Sequence, residues 1–231
     1  MNIFYQPLIT EGVLQLDDEE SRHCIKVLRK KNGDHIKLTD GKGSFYDAVI
    51  TSDSSPCKFE IRNKIQELEK SFKIRIAISP TKNADRIEWF VEKAVEFGVD
   101  EILMMECKNT ERSYIKLERL KKMAISAMKQ SLKSWLPEIK EVDSFSNIVN
   151  NSTAIDKFIA FVDQSNPVHL KDVAKSGHDC LVLIGPEGDF TSEELALALS
   201  KSFTKVSLGS SRLRTETAGL AACHILNLIN S

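Results

Sequence analysis

Apolar positions along the chain change their rhythm near residue 70. Before that point they come in short stretches. A segment at Asp17–Leu28 reads as helical by its aspartate cap and apolar spacing, and three extended runs follow at His35–Thr39, Phe45–Thr51 and Cys57–Ile65. Asp40–Gly43 (DGKG) separates the first two runs and Ser52–Pro56 (SDSSP) the last two, both rich in turn-forming residues. Short strands joined by turns predict a small β-rich module over residues 1–70, with the polar Gln66–Ser71 as linker.

From Phe72 onward strand and helix periods alternate. Lys73–Ser79, Asp100–Glu106, Lys157–Val162, Cys180–Ile184 and Thr204–Leu208 read as strands; Asp85–Phe97, Lys116–Leu132, Ser192–Ser202 and Thr215–Asn230 read as helices. That order predicts βαβ units and a mostly parallel sheet covered on both faces, an α/β domain over residues 71–231. Asn147–Ala154 is polar and poorly periodic, and is expected to be loop.

With 231 residues, 42% hydrophobic and 28% charged, the chain has ordinary globular composition, which excludes wholesale disorder. Its apolar runs, such as Cys180–Ile184, fall far short of the ~18 residues of a membrane span. The start shows no basic segment followed by an apolar one, so no secretory signal is read. Five scattered cysteines without a CxxC pair, and five histidines without metal spacing, predict reduced thiols in a cytoplasmic protein that needs no metal.

A net charge of −1 conceals local imbalance. Ser21–Gly33 holds five bases (Arg22, Lys26, Arg29, Lys30, Lys31) plus His23 and no acid, and Lys108–Lys140 holds nine Lys/Arg against three Glu. Each cluster can be a solvated helix face; two in one chain favour an RNA partner held by its phosphates.

Two segments carry candidate chemistry. In Leu181–Leu195 (LVLIGPEGDFTSEEL) an apolar strand runs into Gly185-Pro186-Glu187-Gly188. A helix follows whose start has a capping box, Thr191 with Glu194, and a staple pair, Phe190 with Leu195. The loop therefore lies at the carboxyl end of a parallel strand, where open α/β sheets bind ligands, although a plain strand-to-helix turn has the same composition. In Val206–Ala222 a second strand ends at Gly209, then a serine-rich loop leads to a helix. Arg212 and Arg214 at that helix start are either surface charges or groups awaiting an anionic partner, since cations are unfavourable at the positive end of a helix dipole. GxGxxG, GxxxxGK[ST] and GxSxG are all missing, which argues against dinucleotide, triphosphatase and hydrolase sites.

LIGPEGDFTSEEL followed by LGSSRLRTETAGLAA resembles the carboxyl-terminal signature of the bacterial 16S rRNA (uracil-N3)-methyltransferase family of the SPOUT superfamily. Arg22-His23 with Val27-Leu28-Arg29 is similar to that family's amino-terminal stretch, in its PUA-like RNA-binding barrel. Lys82, Arg86-Ile87-Glu88-Trp89, Glu92-Lys93-Ala94, Glu111-Arg112-Ser113 and Gln130-Ser131 extend the likeness. The resemblance implies a deep trefoil knot at the carboxyl end, a homodimer, and 16S rRNA or the small ribosomal subunit as partner. It also implies S-adenosylmethionine as cofactor, held by Ile184, Gly185, Glu187, Gly188, Leu208, Gly209, Leu213, Arg214 and Thr217. Contacts to RNA would come from Arg22, His23, Lys26, Arg29, Lys30, Lys82, Arg86, Arg112 and Gln130. Uridine N3 carries a proton at neutral pH, so the reaction needs a base or cations that stabilise the uracil anion. Arg214 is the expected anion stabiliser and Glu187 the expected group for cofactor or proton handling. Competing readings are a SPOUT methyltransferase for another rRNA or tRNA position, and a non-catalytic assembly factor.

Overall fold

A computed structural model describes residues 2–111, 114–162 and 168–231 of the chain, which divides into two units. The first runs to Glu69 and includes Ile125–Leu136; the second holds Lys70–Ala124 and Pro137–Ser231.

In the first unit, β1 (Ile3–Tyr5) pairs in parallel with β2 (His35–Thr39), and β3 (Ser44–Ser52) and β4 (Lys58–Gln66) follow antiparallel, in the order β1-β2-β3-β4. Between β1 and β2 runs α1 (Asp18–Arg22), capped by the Asp17 side chain and continued by a wider turn over His23–Val27. Phe4, Leu16, Cys24, Leu38, Ala48, Ile50 and Phe59 are among the residues that close its core. Sequence periodicity misses β1 because three residues carry no period.

Ile125–Leu136 also belongs to this unit, whereas the sequence assigns it to the second domain. Gly43 N–H donates to Ser134 O at 3.0 Å and Leu136 N–H to Gly41 O at 2.9 Å. Lys129 pairs with Glu20, and Ser134 donates to Glu67. Gly43, at φ 94°, must be glycine because the Trp135 indole occupies the place of its Cβ.

The second unit is a six-stranded sheet in the order β10-β8-β9-β5-β6-β7, with every pairing parallel. Its strands are β5 (Ile74–Ile78), β6 (Glu101–Glu106), β7 (Glu138–Ser144), β8 (Asp156–Ala160), β9 (Cys180–Ile184) and β10 (Thr204–Val206). The central β9 is buried at all five positions, as a strand covered on both faces requires. α7 (Thr215–Ile229) packs against β5 and β9 and on α2 (Ala84–Phe97), and α3 (Leu117–Gln130) follows β6. α4 (Phe145–Asn151) and α6 (Ser192–Ser200) pack on each other, over a cluster with Ala77, Leu181 and Leu183; a short α5 (Leu170–Val173) touches α7.

The expected loop at Asn147–Ala154 is corrected here. Residues 145–151 are helical, with Ser144 capping Asn147 N–H at 3.2 Å and Phe145, Ile148 and Val149 buried. The apolar period starts at Phe145, two residues before the polar run that hides it. No described helix is long and apolar enough to cross a membrane.

Candidate active site

The site grows from the carboxyl ends of β9 and β10. After β9 the chain turns through Gly185–Gly188 and enters α6 by the capping box: Thr191 Oγ1 accepts Glu194 N–H at 3.2 Å, and Glu194 Oε2 accepts Thr191 N–H at 2.8 Å. Phe190 and Leu195 meet in one hydrophobic cluster. Glu194 Oε1 also accepts Lys108 N–H at 2.8 Å, and Asn109 Nδ2 donates to the Gly188 and Asp189 carbonyls at 3.3 and 3.0 Å. The loop is thus fastened to the segment after β6.

Its glycines have partners inside the protein. A Cβ on Gly185 would stand 3.1 Å from the Phe190 ring, and one on Gly188 would stand 3.3 Å from Asn109 Cβ. Gly209 differs: at φ 128° no atom lies within 4 Å of its Cβ direction. Asp189, in a left-handed conformation at φ 60°, accepts N–H groups from Phe190 at 2.8 Å and Val162 at 3.2 Å. Burial nonetheless pushes its carboxyl above the usual range, against those bonds and the nearby Arg212 charge.

One hydrogen bond joins the two signature segments. Thr215 Oγ1, in the first residue of α7, donates to the Gly185 carbonyl at 3.1 Å. Beside this junction a cavity of about 540 Å³ is lined by Asp85, Arg86 and Trp89 from the start of α2, and by Arg212, Leu213, Arg214, Glu216 and Thr217. Of the expected residues, the cavity unites Leu213, Arg214 and Thr217 with Arg86.

The others lie elsewhere. Ile184 is buried with its carbonyl accepting Ser79 N–H at 3.1 Å, Leu208 is half-buried, and Gly185, Gly188 and Gly209 sit in their loops. Glu187 is exposed and accepts the Lys82 amide at 3.4 Å; it does not line the cavity. Lys82 pairs with Glu111 at 2.9 Å, and that hydrogen bond holds its ammonium above the usual lysine range.

Arg22, His23, Lys26 and Arg29 are exposed on the first unit, and Gln130 is exposed at the end of α3. Lys30 donates to His35 O at 3.2 Å and lines a second cavity, of about 390 Å³, with Lys37 and Asp47. Arg112 lies outside the described residues.

Trp89 and Glu216 stand in the segments that carry the family likeness, but neither is expected there as a site residue. Trp89 occupies an amphipathic helix, where a large aromatic reads as core, yet it is 41% exposed. Glu216 reads as an ordinary first-turn acid. Among the described residues no group of three or more His, Cys, Asp or Glu is placed to hold a metal.

Parallel strands whose carboxyl ends meet beside a basic cavity define an open α/β ligand-binding domain, here joined to a β-rich module. Family models match both parts: an RNA methyltransferase domain over residues 68–227 and an RNA methyltransferase PUA domain over residues 16–62. The chain belongs to the RNA methyltransferase family.

Among solved structures it is similar to one from Porphyromonas gingivalis described as a probable rRNA-methyltransferase, at 43% identity and TM-score 0.93, covering 100% of this chain and 98% of that one. It is also similar to ribosomal RNA small subunit methyltransferase E from Neisseria gonorrhoeae bound to S-adenosyl methionine, at 27% identity, TM-score 0.86 and coverage of 100% and 98%. The Rickettsia conorii protein named ribosomal RNA small subunit methyltransferase E is 27% identical over 97% of this chain and 93% of that protein.

Proposed function

We propose that the protein is a homodimer that transfers a methyl group from S-adenosylmethionine to N3 of one uridine in the 16S rRNA of the small ribosomal subunit, in the cytoplasm. The carrying observation is the Thr215–Gly185 hydrogen bond, which joins the loop after β9 to the start of α7 beside a cavity rich in arginine. The relatives named above, one of them bound to S-adenosyl methionine, support the reading.

The residues present fit such a cofactor. Gly209 leaves open space where a side chain would stand, and the cavity offers Arg86, Arg212 and Arg214 together with the carboxylate of Asp85, groups suited to a zwitterionic nucleoside. When bound, S-adenosylmethionine supplies an electrophilic methyl group on a sulfonium. In this reading Ile184, Gly185, Gly188, Leu208, Gly209, Leu213 and Thr217 hold it, with Glu187 on the cofactor side. Arg214 faces the cavity and stabilises the negative charge that grows on the uracil as N3 loses its proton. The segment from β10 to α7 is threaded as a trefoil knot. The exposed Phe97 on α2 and Leu228 on α7 are the apolar surface for the second copy.

Nucleoside mass spectrometry of 16S rRNA from a deletion strain tests the activity. One 3-methyluridine should disappear and return with the plasmid-borne gene; an unchanged RNA refutes the reading. Sedimentation of fully active protein at the mass of a single 26.0 kDa chain refutes the dimer.

A further inference from the structure

Among the described residues Glu216 is paired only with Arg86, across a long ion contact, and one of its carboxylate oxygens has no partner. It stands in the first turn of α7 and lines the cavity, yet it is only 7% exposed. Among the described residues no donor reaches its Oε2, and Arg86 Nε is 3.9 Å from Oε1, beyond hydrogen-bond range. A buried carboxylate oxygen without a donor is unfavourable, so native structures rarely leave one. In the wall of a ligand cavity it is a receptor for a donor that the ligand brings.

The same cavity indicates which ligand. Trp89 offers an exposed indole face, a surface on which an unstacked nucleobase lies. Uracil carries one ring donor, N3–H, between two carbonyl oxygens. A carboxylate meets that donor, and arginine donors meet the flanking carbonyls. Asp85 and Arg86 from α2, and Arg212 and Arg214 from the segment before α7, are the charged groups that share the cavity with Glu216.

We infer that Glu216 is the general base of the reaction, taking the N3 proton of a uridine that stacks on Trp89. This rests on the uridine-methylation reading above. The N3–H bond breaks and its proton moves to a Glu216 carboxylate oxygen, while its electron pair stays on N3. That pair forms the N3–CH₃ bond as the methyl–sulfur bond breaks, and the electrons of that bond remain on sulfur, which becomes neutral. After the products leave, Glu216 returns its proton to water. Glu187, exposed and outside the cavity, has no comparable access.

The full-length Glu216→Gln variant tests this with three measurements. They are S-adenosylhomocysteine binding by calorimetry, melting temperature, and single-turnover methylation of purified small subunits across pH at saturating cofactor. Binding and melting should match wild type, while turnover falls roughly 10²–10⁴-fold. The residual rate should rise in proportion to hydroxide, whereas the wild-type rate levels off once the carboxylate is ionised. Wild-type turnover with a wild-type profile overturns the role. So does weakened S-adenosylhomocysteine binding with normal turnover at saturation, which would make Glu216 a cofactor ligand. Should the glutamine variant not fold, Glu216→Asp decides. It should keep the levelling profile at a reduced rate, and a hydroxide-proportional profile overturns the role. A wild-type protein that leaves the RNA unmethylated refutes the function and this role together; activity kept by the glutamine variant refutes the role alone.

Discussion

Arg214 carries the sharpest claim for a single side chain. It is exposed, lines the cavity and precedes the first residue of α7, so its guanidinium approaches a ligand without being buried in the fold. Arg214→Ala should lower single-turnover rates at saturating cofactor by roughly 10²–10³ with little change in cofactor affinity, because the missing donor acts mainly in the transition state. Near-normal rates would remove the assignment. Lysine should rescue only partly, since a point charge does not reproduce a planar fork. The cysteines give a second residue-scale test. Burial, then the neighbouring Cys57, pushes the Cys24 thiol up to about 12, and burial pushes Cys180 to about 12 and Cys107 upward as well. At pH 8 a thiol of pKa 12 is thiolate in roughly one molecule in 10⁴, so native protein should react slowly with a disulfide reagent while denatured protein reacts fully. The folded pKa lies above the ordinary value of 9.0, so folding holds the thiol proton more tightly. Stability should then be full below pH 9.0 and decline as pH rises towards 12. Rapid native modification would show these thiols to be accessible. At this scale the family resemblance named Leu213, Arg214 and Thr217, and the three line one cavity. That Trp89 and Glu216 line the same cavity was not legible, because it depends on which face of α2 meets α7.

Helix α6 is the element whose start could be read best, and its capping box, staple and first residue stand where the spacing placed them. The box also fixes the GPEG loop, because Glu194 holds Lys108 N–H as well as Thr191 N–H. Thr191→Ala should therefore cost about 1 kcal/mol, within the usual 0.5–2 kcal/mol for removal of a cap. In calorimetry that is a fall of about 2–4 °C in melting temperature for each kcal/mol. Ser192→Ala, exposed and one position further on, should melt as wild type. Equal melting of the two variants would take the cap out of the account. Elements that the pattern missed are short or one-sided. β7 carries a single fully buried residue, Ile139, and lies at the sheet edge, so it lacks the apolar run that marks β9. β1 gains its strand character from pairing with β2, a partner remote in sequence.

For the whole molecule, the change of rhythm near residue 70 foretold a β-rich unit followed by an α/β one. The return of Ile125–Leu136 to the first unit was not legible, since it depends on Trp135 filling the space over Gly43. Arg22, His23, Lys26 and Arg29 stand exposed on the first unit, within a stretch that holds no acid. If that face holds RNA by its phosphates, each neutralised phosphate releases counterions, and binding weakens with salt by a slope of roughly 0.7–0.9 per phosphate. Lys26→Glu with Arg29→Glu should weaken binding to small-subunit RNA across sequences and flatten that slope by roughly 0.7–0.9 for each phosphate no longer neutralised. Both side chains are exposed, so melting should not move, and S-adenosylhomocysteine affinity should stay at the wild-type value because its proposed site uses residues of the second unit. Fluorescence titrations of one RNA fragment at several salt concentrations supply the slope, and a scrambled fragment of equal length shows whether the weakening is general. A slope equal to wild type returns the cluster to the role of a solvated face. Weakening confined to the native sequence would mean that these side chains read bases, and then the phosphate account of the first unit fails.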